Sequence, residues 1–264
     1  MKTQKLFRYL LQAVGLLSLL VLVACTTSPA VVSAMDSPVR STPVNDVTAV
    51  DENGSTAIDQ AALSTGFNQS AVDPLSSAEI EDILYMREEE KLARDVYLTL
   101  YQEWGLSIFQ NIAGSEATHM EALKNLIGRY GLEDPAAGQD IGVFTNPTLQ
   151  ELYDQLVAEG SKSLGDALRV GAAIEEIDIL DLEEAMAQTD KADIQLVYKS
   201  LMKGSRNHLR SFTSTLEKQT GEIYQPLYLD IAEYVEIVST TPRETGGRDS
   251  GQGQGQSGRH GQRG

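Results

Sequence analysis

The stretch GSEATHMEAL, residues 114–123, places a carboxylate and an imidazole where helical periodicity calls for apolar side chains. Around it Ile112, Leu123 and Leu126 recur at helical spacing, and Glu116 and His119 fill the places between them. Positions 112, 116, 119, 123 and 126 alternate steps of four and three, which is the inward stripe of a helix packed among others. A lone carboxylate on such a stripe costs on the order of 3–5 kcal/mol unless something neutralises it. A proton, a cationic side chain or a metal has to be there.

Three more segments repeat the pattern. A first helix is expected from about Ser77 to Trp104, closed by Gly105, with Ile83, Met86, Glu90, Ala93, Tyr97, Leu100 and Trp104 in line. The helix of the quoted stretch runs from about Ser107 to Tyr130. A third starts after Ser161 or Ser163 and reaches about Gln188, aligning Leu164, Leu168, Gly171, Glu175, Asp178 and Leu182. A fourth, from about Lys191 to Thr220, aligns Val197, Leu201, Ser205, His208, Phe212 and Thr215 before Gly221. Each stripe is apolar at its ends and polar in its middle. One such coincidence means little, but four in one domain form a pattern.

No alternating strand pattern stands out, so the fold class is all-α. The first and second helices are joined by a short link, as are the third and fourth. About 30 residues separate the second from the third, with a short helix expected over 147–158. Two hairpins and one long crossover make a ferritin-like four-helix bundle. The Tyr-rich segment 224–238 is expected to pack on it as a C-terminal helical extension.

The ends read differently. Residues 1–25 carry Lys2, Lys5 and Arg8, then an apolar run to Ala24, the flanks of a secretory signal. The closing LVAC, 22–25, resembles a bacterial lipobox, which makes Cys25 the lipidated new N-terminus. Cys25 is the single cysteine, so disulfides, Cys-based zinc sites and iron–sulfur clusters within one chain are excluded. Residues 26–75 read as a flexible spacer and 243–264 as a Gly/Gln/Arg tail. The domain is then 76–242. The leader's +3, the spacer's −5 and the tail's +2 cancel, so the formal −17 of the chain lies on the domain itself. That acidity argues against nucleic acid and anionic lipid as partners of the domain and suits a protein that handles cations.

In di-iron carboxylate bundles a Glu from each of two helices joins an E-x-x-H motif from each of the other two. Residues three apart share a helical face, so one carboxylate and one imidazole reach the same ion. Glu116 and His119 match the motif in full, with Glu90 and Glu175 as the single glutamates. His208 stands in the second motif, but three residues before it is Ser205, a poor ligand for a hard cation. Asp178, one turn after Glu175, can supply the missing carboxylate. The oxygen-rich set with two nitrogens suits two iron ions, with manganese or zinc as alternatives.

EKLARDVY (90–97) has the E-x-x-A-R-x-x-Y form of the first helix of rubrerythrin-like proteins. With SEATHMEAL (115–123), AAIEEIDILDLEEA (172–185) and GSRNHLRSF (204–212), the chain resembles a ferritin-like family of bacteria and archaea described as a domain of unknown function. The resemblance covers roughly residues 77–240. It implies a four-helix bundle with a dinuclear metal centre, and no established activity.

Other readings stay open from sequence. Glu90 can instead pair with Arg94 or Arg206, Glu88 or Glu89 can be the inward residue, and Glu176 replaces Glu175 if its helix is rotated. His208 can be a core histidine, Tyr97 reads as core packing, and His260 lies in the tail. Three function classes fit: a membrane-tethered oxidoreductase reducing peroxide or oxidising ferrous iron, a non-enzymatic metal-binding or sensing module, and a metal-free interaction domain. The partners implied are metal ions, the membrane through the lipid, an external electron donor for an enzyme, and a second copy in a homodimer. The location implied is extracytoplasmic.

Overall fold

The computed structural model describes residues 47–51 and 54–240. The expected leader, Cys25 and the 243–264 tail lie outside these residues.

A short antiparallel hairpin comes first, β1 (Thr48–Val50) and β2 (Thr56–Ile58), with Thr48 opposite Ile58 and Val50 opposite Thr56. Helices follow: α1 (Gln60–Asn68), α2 (Ser77–Trp104), α3 (Ser107–Arg129), α4 (Pro147–Gly160), α5 (Leu164–Ala187), α6 (Ala192–Thr220) and α7 (Ile231–Ser239). The protein is mostly helical with minimal sheet, as the periodicity implies.

The helix ends are written in the sequence. Ser76 accepts from the Glu79 N–H while Glu79 reaches back to the Ser76 N–H, a capping box that opens α2. Asn146 and Ser163 cap α4 and α5 through their side chains, each worth about 1 kcal/mol. Gly105 and Gly221 close α2 and α6 at φ +64° and +76°, a conformation that costs glycine nothing.

The link between α2 and α3 holds only Gly105 and Leu106, which forces an antiparallel hairpin; α5 and α6 form the second. Within each hairpin the two helices pack along their length, and α3 also lies on α6 and α2 on α5. The crossover carries α4 against α2 and α5. Tyr97, Phe109, Ile112, Leu123, Tyr198 and Phe212 are among the largest fully buried side chains between these elements. Beside Phe212 the chain needs Gly171, because a Cβ there would meet the ring at 2.5 Å.

Buried charges pin the irregular segments. Glu88 accepts from Thr145 N (2.6 Å) and Thr145 Oγ1 (2.8 Å), holding the chain at the start of α4. Lys91 donates to Asp95 (2.5 Å) and to the Asp140 carbonyl (2.7 Å) beneath the Phe144 ring. Glu176 takes the N–H groups of Leu227, Tyr228 and Leu229 at 3.0, 2.6 and 2.8 Å.

Three expectations need correction. Residues 47–51 and 54–68, read as part of a flexible spacer, fold as the hairpin and α1 against α3 and α6. The expected absence of strands fails in the same place. Residues 224–230 are not helical, because Glu176 draws three successive N–H groups away from any helical ladder; the helix begins at Ile231.

Candidate metal centre

The polar middles of the four stripes meet. Glu90 comes from α2, Glu116 and His119 from α3, Glu175 from α5 and His208 from α6, all at most 2% exposed. They form two groups, Glu90–Glu116–His119 and Glu116–Glu175–His208, each with one ligand atom per residue within 4.8 Å of the others. Glu116 belongs to both. Its Oε2 lies 2.8 Å from His119 Nδ1 and its Oε1 2.8 Å from His208 Nδ1. Glu90 Oε2 is 3.2 Å from His119 Nδ1, and Glu175 Oε2 is 3.5 Å from His208 Nδ1. The imidazole rings stack with centroids 5.6 Å apart.

The cationic alternatives for Glu90 are elsewhere. Arg94 binds Asp95, and Arg206 binds Glu183 and Glu233. Glu88 and Glu176 hold backbone segments, as described above, and neither turns into the centre. Glu89 is buried beside Asp181 and other carboxylates. Burial and the charges of Asp181, Asp178 and Glu90 raise its carboxyl well above the usual range. Asp178 joins neither group: one oxygen accepts from Ser205 Oγ and the other has no hydrogen-bond partner.

This donor set fits divalent cations. Glu90 Oε1 and Glu116 Oε1 are buried without a hydrogen bond, as is His208 Nδ1, although 2.8 Å separates it from Glu116 Oε1. Two acceptor-capable atoms that close can share a proton or a cation. Carboxylate oxygens with one imidazole nitrogen on each side are donors that could hold a metal ion.

Without a cation, protons have to hold the cluster together. Burial alone would raise Glu116, but His208 and His119 override it and keep its carboxyl well below the usual range. Burial pushes Glu90 up to about 8, against the pull of His119. Burial likewise raises Glu175, with His208 opposing. Burial would lower His208, yet Glu116 and Glu175 lift it to about 9; Glu116 and Glu90 lift His119 well above its ordinary value in the same way.

Three neighbours escape a sequence reading. Tyr97, read as packing, does press on Phe212 at 5.0 Å between centroids, but its hydroxyl also donates to Glu175 Oε1 at 2.5 Å. Thr56 of β2 sets Oγ1 3.3 Å from His119 Nε2 and 3.0 Å from His208 Nε2. Gly204 leaves the room for this: a Cβ there would meet His119 Nε2 at 2.5 Å and Thr56 Oγ1 at 3.2 Å. The missed signal is the Asn53-Gly54 pair between TAV and TAI, a hairpin turn dipeptide.

The family model DUF2202, described as an uncharacterized protein domain, matches residues 79–241. The chain belongs to the DUF2202 family. It is 54% identical over 168 residues to the uncharacterized protein MJ0754 of Methanocaldococcus jannaschii, across 64% of this chain and 90% of that one. The crystal structure of hypothetical protein MJ0754 from Methanococcus jannaschii superposes with a TM-score of 0.63 at 53% identity, covering 65% of this chain and 97% of that chain. All five residues of the two groups lie inside the DUF2202 match, whereas Thr56 lies before it.

Proposed function

We propose that this DUF2202 protein is a ferritin-like metalloprotein whose four long helices enclose a dinuclear iron or manganese carboxylate centre. One observation carries the reading: Glu116 divides its two oxygens between the Nδ1 atoms of His119 and His208, and each pair has a further carboxylate, Glu90 or Glu175. Glu116 would hold both ions, with Glu90 and His119 on one side and Glu175 and His208 on the other. When bound, such ions supply the redox chemistry for peroxide reduction or ferrous iron oxidation. The chain's own groups position the ions, exclude water and hold protons. Tyr97 keeps its proton, since burial and the nearby Glu175 raise its hydroxyl well above the ordinary value. It is a donor to Glu175 at every physiological pH.

The lipobox-like run ending at Cys25 supports a tether to a membrane outside the cytoplasm. With no cysteine-rich module and no nucleotide motif in the sequence, electrons would come from an external donor. The same lack favours, as second reading, a module that binds or senses metal without turnover.

Elemental analysis of protein purified without chelators tests the proposal. Wild type should carry close to two equivalents of iron or manganese, and Glu116→Ala should lose both. A wild-type protein that stays metal-free after incubation with ferrous iron or manganese ends the reading. Peroxide or oxygen consumption by the iron-loaded form separates enzyme from sensor.

A further inference from the structure

We infer that the β1–β2 hairpin is a strap that holds both histidines by their outer nitrogens, and that Thr56 is the residue that positions them for metal. The inference rests on the dinuclear reading above. The hairpin spans the groove between the two histidine-bearing helices and is tied to each. On α3, Ser115 Oγ accepts from Thr56 N at 2.8 Å; on α6, Asn207 Nδ2 donates to the Gly54 carbonyl at 2.7 Å. Lys203 of α6 donates to the Thr48 carbonyl at 2.8 Å. Gly54 fits only as glycine, with φ +83° and a would-be Cβ 1.9 Å from Ser211 Oγ. These ties bring one hydroxyl, buried with its residue at 3% exposure, between two imidazoles.

Counting protons gives the hydroxyl its role. It has two lone pairs and one hydrogen. Two Nε2–H groups can both donate to it, one to each lone pair. Two bare Nε2 atoms would compete for a single hydrogen and leave one buried acceptor unsatisfied, at about 1–3 kcal/mol. One Nε2–H and one bare Nε2 also satisfy the hydroxyl, so the count by itself disfavours only two bare nitrogens. It is ligation through both Nδ1 atoms that puts a proton on each Nε2, and the two lone pairs of Oγ1 then accept both. Held at Nε2, each ring keeps Nδ1 turned toward Glu116, where it can act as ligand. A ligand histidine is commonly oriented by such a partner on its other nitrogen. Here one threonine serves two histidines, and it comes from outside the residues that define the family match.

The test uses the full chain loaded with zinc, a diamagnetic probe, in wild type, Thr56→Val, Thr56→Ser and Ser115→Ala. Proton–nitrogen NMR reads the imidazole Nε2–H signals, and a chelator reads the rate of zinc release. Wild type and Thr56→Ser should show two slowly exchanging Nε2–H signals. Thr56→Val, of the same shape without the hydroxyl, should lose at least one of them. Zinc release should accelerate on the order of 10–100-fold, the usual loss when such a partner is removed. Ser115→Ala keeps the hydroxyl and loosens its backbone, so it should speed release without removing both signals; it stands in if Thr56→Val does not fold. Zinc-bound Thr56→Val with both signals and wild-type release overturns the strap and leaves the metal centre standing. Wild type that takes up no zinc, iron or manganese overturns both.

Discussion

Ser205 donates its hydroxyl to Asp178 Oδ2 across the α5–α6 hairpin, at the place where a second E-x-x-H motif would carry its glutamate. The two residues occupy the space that the missing side chain would take, without joining either ligand group. Ser205 is three residues before His208 and 1% exposed, so the position faces the centre as a ligand would. The carboxylate comes instead from α5, with Oδ1 buried and unpartnered. Burial and the Glu90 charge raise the Asp178 carboxyl well above the usual range, which marks it as close to the cluster although outside both ligand groups.

The two cation positions should accordingly be unequal. Isothermal titration of the metal-free protein with manganese should show a tighter and a weaker site, and Asp178→Ala should affect the weaker one. Ser205→Glu should tighten that site by placing an anionic oxygen beside a divalent ion. In the metal-free protein the same change should cost about 3 kcal/mol, since it adds a buried carboxylate. Melting curves with and without manganese check this. Equal losses in both conditions would mean that Ser205 does not face a metal.

Tyr97→Phe should separate the hydroxyl from the packing. The ring contact with Phe212 survives, but Glu175 Oε1 loses the donor at 2.5 Å. Leaving that buried acceptor unsatisfied costs about 1–3 kcal/mol, and Glu175 becomes freer to swing from its place beside His208. Urea unfolding of the metal-free variant should show the loss, and its metal titration should show weaker binding. Wild-type values in both would reduce Tyr97 to a core side chain.

How far the sequence carried the reading differs by element. The long helices and their inward stripes were legible because burial imposes a 3.6-residue period, and Glu90, Glu116, His119, Glu175 and His208 interrupt it at one level. The stripe pointed to Glu90 but did not exclude Glu88 or Glu89. Three adjacent acids on one helix differ only in what lies opposite: the crossover loop for Glu88, other carboxylates for Glu89, an imidazole for Glu90. Thr56 was out of reach for another reason. Nothing local marks a threonine some 60 residues from His119 and 150 from His208 as their common partner; only the packed hairpin does.

The crossover depends on a buried ion pair that can be broken by itself. Lys91 and Asp95 have side chains 1% and 0% exposed, and Lys91 also holds the Asp140 carbonyl. Lys91→Met removes the charge while filling much of the volume. It should destabilise by about 3 kcal/mol, because Asp95 stays buried with less compensation. Arg94 and the Gly142 N–H still reach Asp95, which keeps the loss from being larger. A urea titration reads it. A change under 1 kcal/mol would show that these two donors suffice.

The metal-free and metal-loaded proteins should respond to pH in opposite directions. In the metal-free protein His208 titrates at about 9 and His119 well above its ordinary value, against 6.5 when unfolded. Glu90 titrates at about 8 against 4.5. Every one of these groups binds protons more tightly when folded, so between pH 6.5 and 9 the native state holds more protons than the unfolded chain. Stability then falls as pH rises. Glu116 is shifted the other way, but its contribution is complete above pH 4.5 and flat across this window. With cations bound, the same Nδ1 atoms and carboxylates are occupied without protons, and metal competes better as protons become scarce. Melting temperature should therefore decline from pH 6.5 to 8.5 in chelator and hold or rise over the same range in excess manganese. Replacing His208 by Gln should flatten the chelator curve, since the group that Glu116 and Glu175 lift to about 9 is gone. Parallel declines with and without manganese would mean that metal does not replace the protons of this cluster.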